Sequence, residues 1–137
     1  MSEKTIFDIL HQMDTFTNSV MIKWNKMFNE DLGVSNVLTL GFINNNKKAR
    51  PSDISKKLGL TPPTVTHLVE KLVKKELVER VLDDSDRRII YLVITEKGKE
   101  VLKRANIEGQ VLRREMFLKL TEEERAQLLA LYEKLNS

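Results

Sequence analysis

The stretch Pro51-Ser52-Asp53-Ile54-Ser55-Lys56-Lys57-Leu58-Gly59-Leu60-Thr61-Pro62-Pro63-Thr64-Val65-Thr66-His67-Leu68-Val69-Glu70-Lys71-Leu72 decides how the chain folds. Pro51 suits the first position of a helix, where its missing N–H leaves no bond unmade. Ile54 and Leu58 then share one face before Gly59 ends the helix. Two residues further on, Thr61 can cap a second helix that has Pro62 at its first position. Val65, Leu68, Val69 and Leu72 follow at i, i+3, i+4 and i+7, which makes one apolar face. The spacing predicts a short helix, a glycine turn and an amphipathic helix, the parts of a helix-turn-helix.

Downstream the period changes. Leu77 to Leu82 and Ile89 to Ile94 are two runs rich in Val, Ile and Leu, separated by Asp83-Asp84-Ser85-Asp86-Arg87-Arg88, and they predict a hairpin with a charged tip. Upstream, Ile6, Ile9, Leu10, Met13, Phe16, Val20, Trp24, Met27 and Phe28 keep helical spacing as far as the break at Glu30-Asp31-Leu32-Gly33. A shorter helix follows from Ser35 to Ile43, closed by polar residues 44 to 48. Thr95 to Leu120 returns to helical spacing through Val101, Leu102, Ala105, Leu112, Met116 and Phe117, with Gly109 weakening its middle. Thr121 with Glu124 three residues on is a capping box, opening a last helix through Leu128, Leu129, Tyr132 and Leu135. The expected fold is mainly α, in the order α-α-α-α-β-β-α-α, without internal repeats.

The length of 137 residues fits a single domain over 1–137, and 41% hydrophobic with 31% charged residues is the balance of a globular protein. No window approaches the roughly 20 apolar residues of a membrane helix, and Met1-Ser2-Glu3-Lys4 carries no signal-peptide core, so a cytoplasmic protein without membrane contact is expected. The absence of cysteine removes disulfides, thiolate metal sites, thiol catalysis and cysteine redox sensing together. His11 and His67, the only histidines, lie 56 positions apart, and no nucleotide-binding glycine motif or HExxH run is present. Neither an enzyme nor a metal or other cofactor is expected. The basic excess is local: residues 47 to 88 hold 11 Lys or Arg against 7 Asp or Glu, so one surface could meet a polyanion.

In a helix-turn-helix the second helix lies in the DNA major groove, and a following hairpin with basic residues at its tip can reach the neighbouring minor groove. On a helical projection, Thr66, His67, Glu70, Val73 and Lys74 face away from the apolar side, towards base edges. The first turn, Thr61 to Thr64, would offer hydroxyls and one or two free N–H groups. Candidate contacts are Thr61, Pro63, Thr64, Thr66, His67, Lys71 and Lys74 on the helix, and Asp86, Arg87 and Arg88 on the hairpin. Each also has an ordinary role: Thr61 caps a helix, the lysines solvate a face, and His67 is a polar surface residue. His11 is structural or solvent-facing.

The runs Leu58-Gly59-Leu60-Thr61, Leu72 to Arg80, Asp86-Arg87-Arg88 and Ile94-Thr95-Glu96-Lys97-Gly98 resemble the winged-helix core of the MarR family of regulators. Asp86, Arg88, Ile94 and Thr95 match that family's Asp-x-Arg-x5-Leu-Thr wing pattern, with Ile for Leu. The resemblance covers the whole chain in element order, with its specific motifs in residues 50 to 98. It implies a dimer of interlocked first and last helices, a recognition helix in each major groove and a wing arginine in each minor groove. It further implies that Arg88 is the wing arginine, that Asp86 holds the wing loop, and that Thr64, Thr66 and His67 are the base-side positions. The chain departs from the pattern at Glu76, where relatives commonly have glycine, so the helix exit would lack an easy left-handed residue. It departs again at His67, where relatives often carry arginine.

A homodimer also follows from the residues themselves, because the first, fifth and sixth helices carry more apolar stripe than a four-helix core could cover. The alternative is a larger monomeric core. Residues 1–33 and 99–137 are then the dimerisation helices, and 34–98 the winged helix-turn-helix lobe. The expected function is sequence-specific regulation of transcription, most simply repression, on a near-palindromic double-stranded operator. The alternative is a winged-helix protein-interaction module that does not touch DNA. A small apolar or aromatic effector could sit between helices and lobe, lined by Phe16, Val20, Trp24, Phe42 and Phe117, which are otherwise ordinary core residues.

Overall fold

The computed structural model describes residues 2–137, so Met1, the first residue of the expected dimerisation segment, lies outside the described residues. The elements run α1 Ser2–Met27, α2 Val34–Asn45, α3 Pro51–Leu58, α4 Pro62–Lys74, β1 Val78–Leu82, β2 Ile90–Ile94, α5 Glu96–Phe117 and α6 Glu122–Leu135. This is the order expected, with boundaries shifted by a few residues at most helix ends. The two strands are antiparallel, with Val78 opposite Ile94 and Leu82 opposite Ile90. Ala49, ahead of α3, pairs with Leu92 on the other side of β2, so the hairpin is stitched to the helices through its second strand.

The apolar faces read from the sequence meet in one cluster. Leu40 and Ile43 of α2, Ile54 of α3, Val65 and Leu72 of α4, and Leu77, Val78 and Leu92 of the hairpin are almost wholly buried. Each such Leu, Ile or Val contributes roughly 1.5–3 kcal/mol by leaving water. Trp24, Phe28 and Leu32 from the end of α1 and its turn join Val101, Leu102, Ala105, Leu112 and Met116 of α5 to extend the same core. The first half of α1 leaves Ile6, Ile9, Leu10, Met13 and Phe16 exposed. Helix α6 buries no residue and exposes Leu129, Leu131, Tyr132 and Leu135.

Helix α5 runs unbroken through Gly109, which is buried against Trp24, where a Cβ would lie 3.5 Å from the indole. One sequence expectation needs correction. The exit of α4 does use a left-handed residue, and Glu76 itself adopts it, with φ +64°. Leu77 N–H donates to Leu72 O and Glu76 N–H to Val73 O, both at 2.9 Å, so the last carbonyls of α4 are satisfied by a Schellman motif. Thr95 then donates its hydroxyl to Glu76 O (2.7 Å) and its N–H to Leu77 O (3.0 Å), fastening the start of α5 to that exit. Gly98 sits so close behind that a Cβ would lie 2.2 Å from Leu77 O.

Candidate nucleic-acid interface

Helix α3 ends at Gly59, whose φ of +65° turns the chain, and Leu60 N–H reaches back to Ser55 O at 3.1 Å. The Ser55 hydroxyl closes the same turn by donating to Leu60 O. Thr61 caps α4: its Oγ1 accepts from Thr64 N–H at 3.4 Å and lies 2.8 Å from Thr64 Oγ1. Pro62 and Pro63 have no N–H, and Val65 N–H is bonded to Thr61 O at 3.0 Å. The free amides expected in the first turn are therefore absent from positions 62 to 65, and what this end of α4 presents is hydroxyls.

Val65, Leu68, Val69 and Leu72 hold α4 against the core and turn its other side outwards. Thr61, Pro63, Thr64, Thr66, His67, Glu70 and Lys74 are exposed. The Thr66 hydroxyl donates to Pro62 O at 3.0 Å, which leaves its oxygen as an acceptor and its methyl as an apolar contact. Lys71 stands apart from this group. It is half-buried, and its Nζ lies 3.6 Å from Asp31 Oδ1.

The hairpin tip is organised by two aspartates. Asp83 Oδ2 accepts from Ser85 N–H (3.1 Å), Ser85 Oγ (2.6 Å) and Asp86 N–H (2.9 Å), so one carboxylate folds the turn. These bonds, the serine hydroxyl first, hold the Asp83 carboxyl below its ordinary value. Asp86 accepts from Arg88 N–H, Nε and Nη2, all at 3.0 Å, and the Arg88 guanidinium is the main cause of its lowered pKa. Arg88 is thereby aimed while its side chain stays 91% exposed, and Arg87 beside it is exposed as well. Sequence reasoning missed Asp83, although Asp followed at i+2 by Ser is the usual composition of such a turn. It also missed Lys48, whose Nζ lies 5.3 Å from the Tyr91 ring, and Arg50, whose charge is felt by Asp86. Both add positive charge at the wing root.

A cleft of about 490 Å³ opens between α1, α2 and α5, walled by Trp24, Val37, Phe42, Leu58 and Leu102, with Lys57, Gln110 and Arg113 among its polar lining. Of the five aromatic and apolar residues expected around an effector, Trp24 and Phe42 line this cleft. Val20 packs on the core, whereas Phe16 and Phe117 pair with one another, ring centroids 5.9 Å apart, and are not among the cleft's lining residues. Among the described residues no group of three or more His, Asp or Glu is placed to hold a metal ion, and no helix is long and apolar enough to cross a membrane.

Residues 30–89 match the model of the MarR family. The HTH-type transcriptional regulator YsmB of Bacillus subtilis is 34% identical over 82 residues, which are 60% of this chain and 53% of YsmB. The transcriptional repressor MprA of Escherichia coli K12 is 34% identical over 83 residues, 58% of this chain and 47% of MprA. The chain thus spans about half the length of these curated relatives. The crystal structure of the Staphylococcus aureus MepR–DNA complex superposes with a TM-score of 0.77 at 24% identity, covering 91% of this chain and 93% of that one, and so shares its fold.

Proposed function

We propose, from the premise that residues 30–89 are a MarR-family winged helix, that this chain is a sequence-specific, double-stranded DNA-binding regulator of transcription, acting as a homodimeric repressor in the cytoplasm. The observation that carries this reading is the pairing of an exposed polar face on α4 with a wing whose arginine is already aimed by Asp86. In this reading Thr61, Pro63, Thr64, Thr66, His67 and Lys74 of α4 enter the major groove, and Arg87 and Arg88 enter the adjacent minor groove while Asp86 fixes their loop. Thr66 and Thr64 supply hydroxyl and methyl contacts, and His67 reads one base edge. The work is recognition by binding.

Support for the dimer is physical. An amphipathic helix such as α6, which buries none of its residues in the single chain, gains little from propensity alone and needs a surface to cover its leucines. Residues 1–33 and 99–137 carry most of the exposed large apolar side chains, so a second copy pairing through them would cover both ends at once. Residues 34–98 form the DNA-binding lobe. The name of MprA favours repression over activation. The cleft beside Trp24 and Phe42 suits a small apolar or aromatic effector whose occupancy releases DNA, and Lys57 and Arg113 would favour one bearing an acidic group.

Footprinting of the purified chain on duplexes selected from a random pool tests the proposal. Two protected half-sites with centres about 10 to 10.5 base pairs apart are expected. Protection of one unrepeated half-site argues against the dimer on DNA. Failure to bind any duplex at low salt returns the chain to the class of protein-interaction modules.

A further inference from the structure

Between α1 and α2 the chain makes a turn whose centre, Asp31, is held in the left-handed region at φ +53°. Each neighbour of Asp31 is anchored to a different body. Glu30 makes an ion pair with Arg104 of α5, and that guanidinium also lies 5.7 Å from the Phe28 ring. Leu32 O accepts the buried indole N–H of Trp24 at 3.1 Å, and Gly33 N–H is bonded to Asn36 Oδ1 at 3.1 Å. The anchors leave the Asp31 side chain projecting into solvent, 85% exposed, with its carboxylate 3.6 Å from Lys71 Nζ. Lys71 is in the last turn of α4, the helix that would enter the major groove.

We propose that Asp31 is a built-in competitor for DNA phosphate at Lys71, so that α4 engages DNA by exchanging a protein carboxylate for a phosphate oxygen at this position. The proposal rests on the reading of the chain as a DNA binder. A surface ion pair of this kind is weak and screened by salt, and is therefore exchangeable and not a lock. It has a thermodynamic consequence that a bare lysine lacks. A free lysine that neutralises a phosphate releases a condensed counterion, which steepens the salt dependence of binding. A lysine taken from a carboxylate leaves that carboxylate to recruit a cation of its own, so the release is cancelled. Asp31 thus lowers both the affinity and the salt slope that Lys71 would otherwise confer, on every sequence alike.

The test is a double-mutant cycle on the full chain with D31N, K71Q and the double variant. The probe is a labelled mixed-sequence duplex of roughly 40 base pairs, about four helical turns, titrated at three salt concentrations. Asparagine is at ease in the left-handed region, so D31N keeps the turn. D31N is expected to tighten binding by about three- to tenfold and to steepen the log–log salt slope by up to about one unit per subunit. In the K71Q background the same change should move affinity less than about twofold and leave the slope alone. Equal gains in both backgrounds would mean simple loss of a surface charge and overturn the competition. So would a D31N protein indistinguishable from the parent. A parent protein that binds no duplex at all overturns the DNA reading itself, a different result from a parent that binds and a D31N that does not differ.

Discussion

Arg88 and Asp86 face one another through two parallel hydrogen bonds, Nε to Oδ1 and Nη2 to Oδ2, each 3.0 Å long. The fork uses two of the five guanidinium N–H groups and leaves the outer edge free for phosphate or a minor-groove acceptor. Arg88→Ala should therefore weaken binding to most sequences and flatten the log–log salt slope by up to roughly one unit per subunit, with major-groove discrimination intact. Arg88→Lys keeps the charge but loses the fork, so its slope should stay near the parent's while affinity falls. Isotherms on a selected operator and a scrambled duplex at three salt concentrations separate these outcomes. An Arg88→Ala protein with unchanged affinity and slope would mean that the Asp86 pair is only structural.

His67 should behave differently. It is exposed on the outward side of α4, between Pro63 and Glu70 on that face, and a base edge is its natural partner. His67→Ala is expected to cost on the order of 1 to 3 kcal/mol on the preferred site, nearer the low end because an imidazole lacks the bidentate fork of arginine, with non-specific binding nearly unchanged. Equal losses on operator and scrambled DNA would assign His67 to the phosphates instead.

Two glycines of α5 should respond to alanine with opposite signs. At Gly98 the new methyl meets the Leu77 carbonyl oxygen at 2.2 Å and Ile94 Cγ1 at 2.7 Å, and backbone cannot step aside cheaply. Gly98→Ala should destabilise by about 1–3 kcal/mol or more. At Gly109 the nearest atom is Trp24 Cζ3 at 3.5 Å, an ordinary contact, so Gly109→Ala should stabilise by about 0.5–1 kcal/mol through helix propensity. Urea denaturation midpoints measure both. Glu76→Gly, which relieves a left-handed glutamate, should also raise the midpoint, by a few tenths of a kcal/mol to about 1.

Acid should open the wing late. Asp83 and Asp86 have folded-state pKa values below the ordinary carboxylate range, Asp83 through Ser85 and the Asp86 amide, Asp86 through Arg88. A group depressed in the folded state contributes fully above its unfolded value, and that contribution is lost as pH falls through the folded one. Wing order should thus be flat from neutrality to about pH 4 and decline below it. Glu30, lowered chiefly by its bond to Arg104, shifts in the same direction. The amide resonances of Ser85 and Asp86, followed by NMR during an acid titration, report the transition. A transition between pH 7 and 5 would contradict this assignment.

The exposed leucines at the two ends of the chain predict association. Sedimentation at micromolar concentration should give roughly twice 15.9 kDa, and Tyr132→Asp, on the bare face of α6, should shift the population towards monomer. A cooperatively folded parent monomer at that concentration would refute the dimer.

What the sequence reveals is what local chemistry specifies. Gly59, Thr61 and the Thr121–Glu124 box mark helix ends because each satisfies backbone groups within a turn of itself, and Pro62 marks one because it has no N–H to leave unpaired. The 3.6 and 2 periodicities then sort helices from the hairpin. The Asp86–Arg88 pair is likewise a neighbour effect. Lys71 gives no such local sign of its partner, since Asp31 lies 40 positions upstream, in the turn before α2, and meets it only once α2 is packed on α4. The aromatic residues were harder for the same reason: Trp24 and Phe42 share the cleft while Phe16 and Phe117 find each other, a division made by helix packing that no single helix encodes. Glu76 was misleading in another way. Sequence alone weighs a residue's preference for the left-handed region, whereas here Leu77, Thr95 and Gly98 fix the chain on both sides and compel it.

Trp24 is the only tryptophan in the chain. It stacks on Phe28 at 4.6 Å between ring centroids, gives its indole proton to Leu32 O and forms part of the cleft wall. The intrinsic fluorescence of unlabelled protein therefore issues from one address, at the joint between the cleft and the turn that carries Asp31. Emission wavelength and yield will register a molecule entering the cleft or a shift of that turn, without a dye or an engineered reporter, and against no background from a second indole.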